Sequence, residues 1–376
     1  MHILIAPNAF KNSLSAYDAA QAIQKGIKLS TLKCTTECFP IADGGDGTAS
    51  LIIKQLQGKT VPVTVHDPLG RLIQTSFGLI ENGRTAVIEM ADASGLRLLK
   101  HDELNPLSAT SYGTGEMIKT ALDAGVNKVI IAMGGSATVD GGTGILKALG
   151  ARFLNEAGHE LINLPASLTD LARIDISNMD KRLPDCEITV LCDVDNMLLG
   201  SRGAAAVFGP QKGADADAVG KLEAGLSRFN DITLRETGKD ISTIKYGGTA
   251  GGASAGVYAY LNASLVNGID NFMELTGFNE ALNRSTLVIT GEGSIDEQTL
   301  QGKGPFGVAN LAKLKGIPVI GLAGKVPAKP NEQLNQYFDV LLAIGNEPSD
   351  ISTALNRTGQ NLIRVSKGIA DMLRIG

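Results

Sequence analysis

Apolar residues along this chain fall in short runs, separated by stretches with helical spacing. Residues 2–7 (HILIAP) read as a short buried strand. Ser15 then offers a helix N-cap with Asp18 three residues on, and Ala19, Ile23 and Ile27 share one face of the helix that follows. A second strand is expected at 37–41 and a helix at 48–56, stopped by Gly58. Residues 60–66, 71–80 and 84–90 are rich in Val, Ile and Thr. The turn signals Asp67-Pro68-Leu69-Gly70 and Glu81-Asn82-Gly83 separate them, so this region predicts an antiparallel meander. Further on come a helix at 108–124, a strand at 128–133, a helix at 145–149 and a strand at 188–192. An amphipathic helix at 217–236 turns Val219, Leu222, Leu226 and Phe229 inward. From residue 287, strands at 287–290, 318–323 and 340–344 alternate with helices expected at 305–315, 330–337 and 350–373.

This order predicts an α/β protein of two domains. The alternating ends of the chain give about five strands of a Rossmann- or flavodoxin-like doubly wound parallel sheet, built from residues 1–62 and 284–376. Residues 63–283 form an inserted α/β domain with a mixed sheet, and the active site is expected in the cleft between the two.

Composition narrows the function. Glycine supplies 45 of 376 residues, well above the usual ~7%. The glycines cluster beside Asp, Ser and Thr where apolar runs end, as backbone does when it must approach a ligand closely. A net charge of −5 without any basic run argues against nucleic acid and anionic membranes as partners. Four cysteines without a CxxC pair and four histidines without ligand spacing argue for free thiols and against a zinc site. No stretch has the length and apolarity of a membrane span or a leader, so a cytoplasmic location is expected.

Candidate chemistry gathers where strands give way to loops. After the strand at 188–192 come Asp193, Asp195 and Asn196, then Arg202-Gly203, then Gln211-Lys212-Gly213. Carboxylates there suit Mg²⁺, while guanidinium, ammonium and glycine-freed N–H groups suit phosphate oxygens. Lys11 lies between a strand end and a helix start, a position that favours anions. The turn Ala42-Asp43-Gly44-Gly45-Asp46-Gly47-Thr48 repeats the logic; Asp46 suits a helix cap and Asp43 is the stronger functional candidate. Residues 134–144 (GGSATVDGGTG) read as an oxyanion cradle at a helix N-terminus. The strand at 287–290 is expected to end before Gly291-Glu292-Gly293-Ser294-Ile295-Asp296, with Lys303 beyond, and the strand at 318–323 before Gly324-Lys325. Ligands of open parallel sheets bind outside such strand ends. Residues 302–307 (GKGPFG) match GxGxxG formally, but no strand precedes them and a proline interrupts them, so no dinucleotide fingerprint is read. P-loop and protein-kinase motifs are absent from the sequence. An inventory of Asp, Lys and backbone donors suits phosphoryl transfer, which depends on positioning and electrostatics. The same loops would also serve a non-catalytic hydroxy-acid binder or sensor, which would need neither ATP nor an acidic metal cluster.

The motifs also resemble, end to end, a glycerate kinase of the bacterial type 1 family. They are APNAFKNSLSA, ADGGDGT, SYGTGEMI, MGGSATVDGGTG, CDVDNMLLGSRGAAAVFGPQKGA, GGTAGGASAG, TGEGSIDEQTLQGKGP and AGKV, in that order. The family's opening motif more often carries Asp and Gly where this chain has Asn8 and Asn12. The resemblance implies ATP- and Mg²⁺-dependent phosphorylation of D-glycerate, usually to 2-phosphoglycerate. Phosphorylation at the 3-hydroxyl, or of another small sugar acid, is the alternative within the same class. Laid on these motifs, the chemistry assigns Lys11, Ser136 and Thr138 to the glycerate carboxylate, with Asn8, Gly44, Gly45 and Asp140 around the substrate. Asp193 is the first choice of base and Asp43 the second. Lys212, Arg202 and Lys303 neutralise the transferring phosphoryl, and Gly203, Gln211, Gly213, Gly291 and Gly293 contact ATP phosphates. Mg²⁺ is expected on Asp195, Glu292 or Asp296.

Overall fold

A computed structural model describes residues 1–329 and 331–375. Its strands are β1 (His2–Ile5), β2 (Thr35–Cys38), β3 (Lys59–His66), β4 (Leu72–Ile80), β5 (Thr85–Glu89), β6 (Lys128–Ala132), β7 (Arg152–Leu154), β8 (Arg173–Asp175), β9 (Glu187–Cys192), β10 (Ser264–Asn267), β11 (Leu287–Ser294), β12 (Val319–Lys325) and β13 (Val340–Ala343). The chain divides into two compact units, Met1–Asp43 with Ile269–Gly376, and Gly44–Gly268.

In the first unit five strands lie in the order β13-β12-β11-β1-β2, and every neighbouring pair is parallel. Numbered within the unit this is the flavodoxin-like order 2-1-3-4-5, whose direction of winding reverses between β1 and β11. Ile3, Ile5, Ile23, Leu322 and Ile369 are among the side chains that form its core. Helix Ala16–Lys28 begins as expected, with the Ser15 hydroxyl accepting from the Asp18 N–H. Helix Thr358–Ile375 packs against it. The predicted helix at 350–373 is two pieces, Ile351–Asn356 and Thr358–Ile375, because Arg357 (φ −97°, ψ 1°) ends the first turn-and-a-half. The helix expected at 330–337 starts at a residue outside the described ones; the observed helix is Glu332–Asn335.

Two strands overrun their expected ends. β11 continues through Gly291-Glu292-Gly293-Ser294, paired with β12 as far as Ser294 opposite Lys325. Glycine here extends a strand instead of ending it: a Cβ on Gly291 would lie 2.1 Å from the Leu322 carbonyl oxygen, so only glycine lets the two backbones approach this closely.

The second unit holds a six-stranded sheet, β10-β9-β6-β5-β4-β3. β3, β4 and β5 form the predicted antiparallel meander; β5, β6, β9 and β10 are mutually parallel. The turn between β4 and β5 places Asn82 and Gly83 at positive φ, 59° and 87°. β7 and β8 form a separate hairpin-like pair that no sequence signal announces.

The units meet the sequence at 43/44 and 268/269, where boundaries at 62/63 and 283/284 were expected. Helix Thr48–Gln55 follows β2 in sequence and so was placed with the parallel sheet, but it packs on β4 and β5. At the other boundary, Phe278 sets its ring edge-on against Phe39, 5.1 Å between centroids, and so joins the first unit.

Candidate active site

In the parallel unit the functional groups collect around the carboxyl ends of β1 and β11, where the winding reverses and ligands of such sheets bind. The chain leaves β1 through Asn8, whose N–H donates to the Gly291 carbonyl at 2.8 Å. The Asn8 amide donates to Asp43 Oδ2 at 2.8 Å, and its own oxygen accepts from the Ala9 N–H at 2.8 Å. Asp43 Oδ2 also accepts from the Gly304 N–H at 3.2 Å, the first residue of helix Gly304–Leu314. Asp43 Oδ2 thus holds the start of that helix. Asn8 matches it as a neutral donor where a carboxylate would repel. Asn12 takes φ 61°, a left-handed conformation that favours glycine and that asparagine tolerates better than most residues. Lys11 is exposed and Lys303 half-buried.

Glu292 is buried at the floor of this region, its Oε1 accepting from the Thr299 hydroxyl at 3.1 Å. Burial pushes its carboxyl up to about 7, the nearby Asp43 charge adds to the rise, and Lys303 and Lys11 oppose it. Asp296 is occupied elsewhere: it caps the short 3₁₀ turn Glu297–Gln301, accepting from the Gln298 N–H at 2.9 Å. A hard divalent cation takes oxygen ligands, keeps waters and shares substrate phosphates. Among the described residues no three His, Cys, Asp or Glu side chains gather to hold a metal, so a cation here would rest on fewer side chains, with water and phosphate oxygens completing its shell. Glu292 fits a cation best, since a buried carboxyl held above its ordinary range is stabilised as the anion by positive charge.

In the mixed unit the carboxyl ends of β5, β6 and β9 carry the site. The turn after β6 approaches the glycine turn at 44–47 so closely that a Cβ on Gly134 would lie 2.4 Å from the Gly45 Cα. Gly44 and Gly45 are buried there, and the Gly134 N–H donates to the Gly44 carbonyl at 3.0 Å. Lys212 is 3% exposed. Its ammonium donates to Ser136 Oγ at 2.9 Å and to the Thr138 carbonyl at 2.7 Å. Burial pulls it down to about 7, against the pull of Asp140 and Asp193, which favour its charge. Thr138 Oγ1 is buried without a hydrogen-bond partner among the described residues, a condition that buried polar groups seldom tolerate without a ligand or water.

Asp140 has a different role from the substrate contact expected of it. It is fully buried and accepts from the Ser111 N–H (2.8 Å) and hydroxyl (2.7 Å), the Gly142 N–H (3.0 Å) and the Gly144 N–H (3.2 Å). With four donors on two oxygens, it holds the cradle's backbone in place. Asp193 is half-buried at the end of β9 and close enough to act on the Lys212 charge. Asp195 and Arg202 are exposed and only loosely paired, 3.9 Å apart. Gly203 starts helix Ala204–Phe208, Gln211 is exposed, and Gly213 (φ 96°) ends the 3₁₀ turn Pro210–Lys212.

Sequence reasoning missed Glu89. It ends β5, is 3% exposed, and accepts from the Gly47 N–H (3.1 Å) and the Ala49 N–H (2.8 Å). Helix Thr48–Gln55 has no cap of its own; Glu89 caps it from another strand and fixes the glycine turn. The available signal was a lone acid inside the apolar run AVIEM. Glu89→Ala leaves the buried Ala49 N–H and the part-buried Gly47 N–H unpaired, at ~1–3 kcal/mol for the buried one, and is expected to lower Tm by several degrees. Burial pushes the Glu89 carboxyl up to about 8, with the Ala49 N–H opposing. A folded-state value above the ordinary one means the wild type loses stability as pH rises from about 4.5 to about 8. Tm measured across that range should therefore decline in the wild type relative to Glu89→Gln, and a constant offset would refute the coupling.

Among the described residues no helix is long and apolar enough to cross a membrane. Comparison with known proteins gives one consistent result. The family model described as glycerate kinase family matches residues 3–374. A glycerate kinase of Bacillus subtilis (strain 168) is 42% identical over 375 residues, covering 100% of this chain and 98% of the relative. A glycerate 2-kinase of Escherichia coli (strain K12) is 42% identical, covering 100% and 99%. A crystal structure from Salmonella typhimurium LT2, provisionally named glycerate kinase 2, superposes with a TM-score of 0.84 at 41% identity, covering 100% of this chain and 99% of that one.

Proposed function

Since the chain belongs to the glycerate kinase family and is a kinase, we propose that it transfers the γ-phosphoryl group of ATP to the 2-hydroxyl of D-glycerate, giving 2-phosphoglycerate and ADP. The observation that carries this reading is the buried Lys212 ammonium, tied to the Ser136–Thr138 turn and within electrostatic reach of Asp193. A cation and a carboxylate so placed supply the two things a phosphoryl acceptor site needs, charge neutralisation and a proton acceptor.

In the mixed unit, Ser136, Thr138 and neighbouring backbone N–H groups receive the glycerate carboxylate. Asp193 accepts the proton of the 2-hydroxyl as its oxygen bonds to the γ-phosphorus; the bond from that phosphorus to the β,γ-bridging oxygen breaks, and ADP departs with the electron pair. Lys212 balances the charge on the transferring group. In the parallel unit, Lys303 and the backbone at Gly291 and Gly293 bind ATP phosphates, Lys11 contributes a further cation for an anionic substrate, and Glu292 is the preferred residue to hold Mg²⁺. Mg²⁺ held there would supply positive charge to offset that of the phosphate oxygens.

The test is ³¹P NMR of the purified protein with ATP, Mg²⁺ and D-glycerate. A 2-phosphoglycerate resonance with loss of ATP is expected. A 3-phosphoglycerate resonance would keep the kinase and move the acceptor to the other hydroxyl. Intact ATP with no new phosphoester would overturn the substrate assignment.

A further inference from the structure

We propose that the cavity over the carboxyl ends of β11 and β12 receives the nucleoside end of the phosphoryl donor. This rests on the reading above that the donor is ATP. The cavity, of about 360 Å³, is lined by Ser294, Asp296, Glu297, Lys325, Val326 and Pro327 among others. Its volume lies at the lower end of the ~300–1,000 Å³ range of small-molecule pockets, suited to a compact ring system and not to an extended ligand.

Position is the first argument. The cavity floor is the overrun of β11 and β12, where Ser294 lies opposite Lys325. Glu292 is two residues back along β11, about 7 Å at the usual strand rise, and it sits with Lys303 and Lys11 at the point where the winding reverses. A nucleotide whose phosphates occupy that point has its nucleoside directed to one side of it, and a pocket on the neighbouring strand pair is where it would be received.

Charge is the second argument. Asp296 and Glu297 face one ammonium, Lys325, among the lining side chains, so a second anion such as glycerate or a phosphate is disfavoured inside. The occupant is neutral there, with hydrogen-bonding edges. Val326 and Pro327 are half-buried and offer an apolar wall to the face of a base. Glu297 and Gln298 are exposed and offer acceptors and donors to hydroxyls of a ribose or the edge of a base. Asp296 is held rigid by the Gln298 N–H and forms a fixed margin.

The experiment is calorimetric titration of ADP with Mg²⁺ into the full chain, wild type and Val326→Trp. The indole should fill the cavity, weakening ADP binding by about tenfold or more while Tm and the KM for D-glycerate stay near wild type. Hydrogen exchange supplies a reading that needs no variant: ADP should slow exchange at 294–298 and 325–327 in the wild type. ADP bound by Val326→Trp as tightly as by the wild type, or exchange at those residues unmoved by ADP, would overturn the assignment. ADP protection at the cavity together with no phosphoglycerate formed would instead overturn the glycerate reading and leave the nucleoside site standing.

Discussion

Asp193→Asn is expected to reduce kcat by about 10²–10⁴-fold, the range a positioned general base contributes. The amide has nearly the same shape but cannot take the proton of the attacking hydroxyl. Asp193 is half-buried at a strand end, so the core is untouched and Tm should stay within a few degrees. The substitution has a second, separable consequence. Asp193 is one of the two carboxylates that favour the charged form of Lys212, so its loss should move that lysine's titration further down. A coupled ADP-release assay at pH 6 and pH 8 would see both effects, a large loss at either pH and a steeper one at pH 8. Turnover near wild type at pH 6 would remove Asp193 from the chemistry and pass the base's role to another group.

Lys212→Met should be similarly severe, about 10²–10³-fold in kcat, the scale measured when one preorganised donor to a developing charge is lost. The methionine retains the stem but leaves the Ser136 hydroxyl and the Thr138 carbonyl without the ammonium that joins them. The lysine also gives the wild type a pH dependence of defined sign. Burial pulls Lys212 down to about 7, so the free enzyme loses this charge as pH rises through neutrality. The profile of kcat/KM, which reports the free enzyme, should fall on the alkaline side with a midpoint near 7. That of kcat should fall at higher pH, because bound anionic substrates favour the ammonium. Stability moves the other way: a folded-state value below the unfolded one means the protein gains stability as pH rises from about 7 towards the ordinary lysine range. Lys212→Met should remove that gain. A kcat/KM profile flat from pH 6 to pH 9 would show that Lys212 is neutral in the working enzyme or irrelevant to it.

Sequence pattern revealed most strands and helices, because apolar periodicity and caps such as Ser15 are local signals. It therefore revealed the turns that carry Lys11, Ser136, Asp193 and Lys212. What it could not reveal was how the polar groups of those turns are spent. Asp43 reads as a candidate base and Asp140 as a substrate contact in one dimension, where the hydrogen bonds of Asp43 to Asn8 and a helix start, and those of Asp140 to four donors of its own cradle, cannot be seen. Glu89 went unnoticed because its partners, Gly47 and Ala49, are 42 and 40 residues away. The boundary at residue 43 was misplaced for a related reason: adjacency to β2 says nothing about the sheet on which helix Thr48–Gln55 packs. At Gly291 the error was one of meaning. Glycine reads as a loop signal there, where close approach of two strands requires it.

The interrupted parallel sheet also sets an order of events on the ribosome. β1 and β2 leave the exit tunnel first, but the strand that β1 pairs with on its other side, β11, begins only at Leu287. At ~5–20 residues per second, that strand follows β2 by on the order of ten to fifty seconds. By the end of that interval the contiguous stretch Gly44–Gly268 holds every strand of its own sheet, while β1 still lacks its partner β11. The earliest-made strand is therefore the one that waits longest for a partner, and the parallel sheet closes only after the mixed one can.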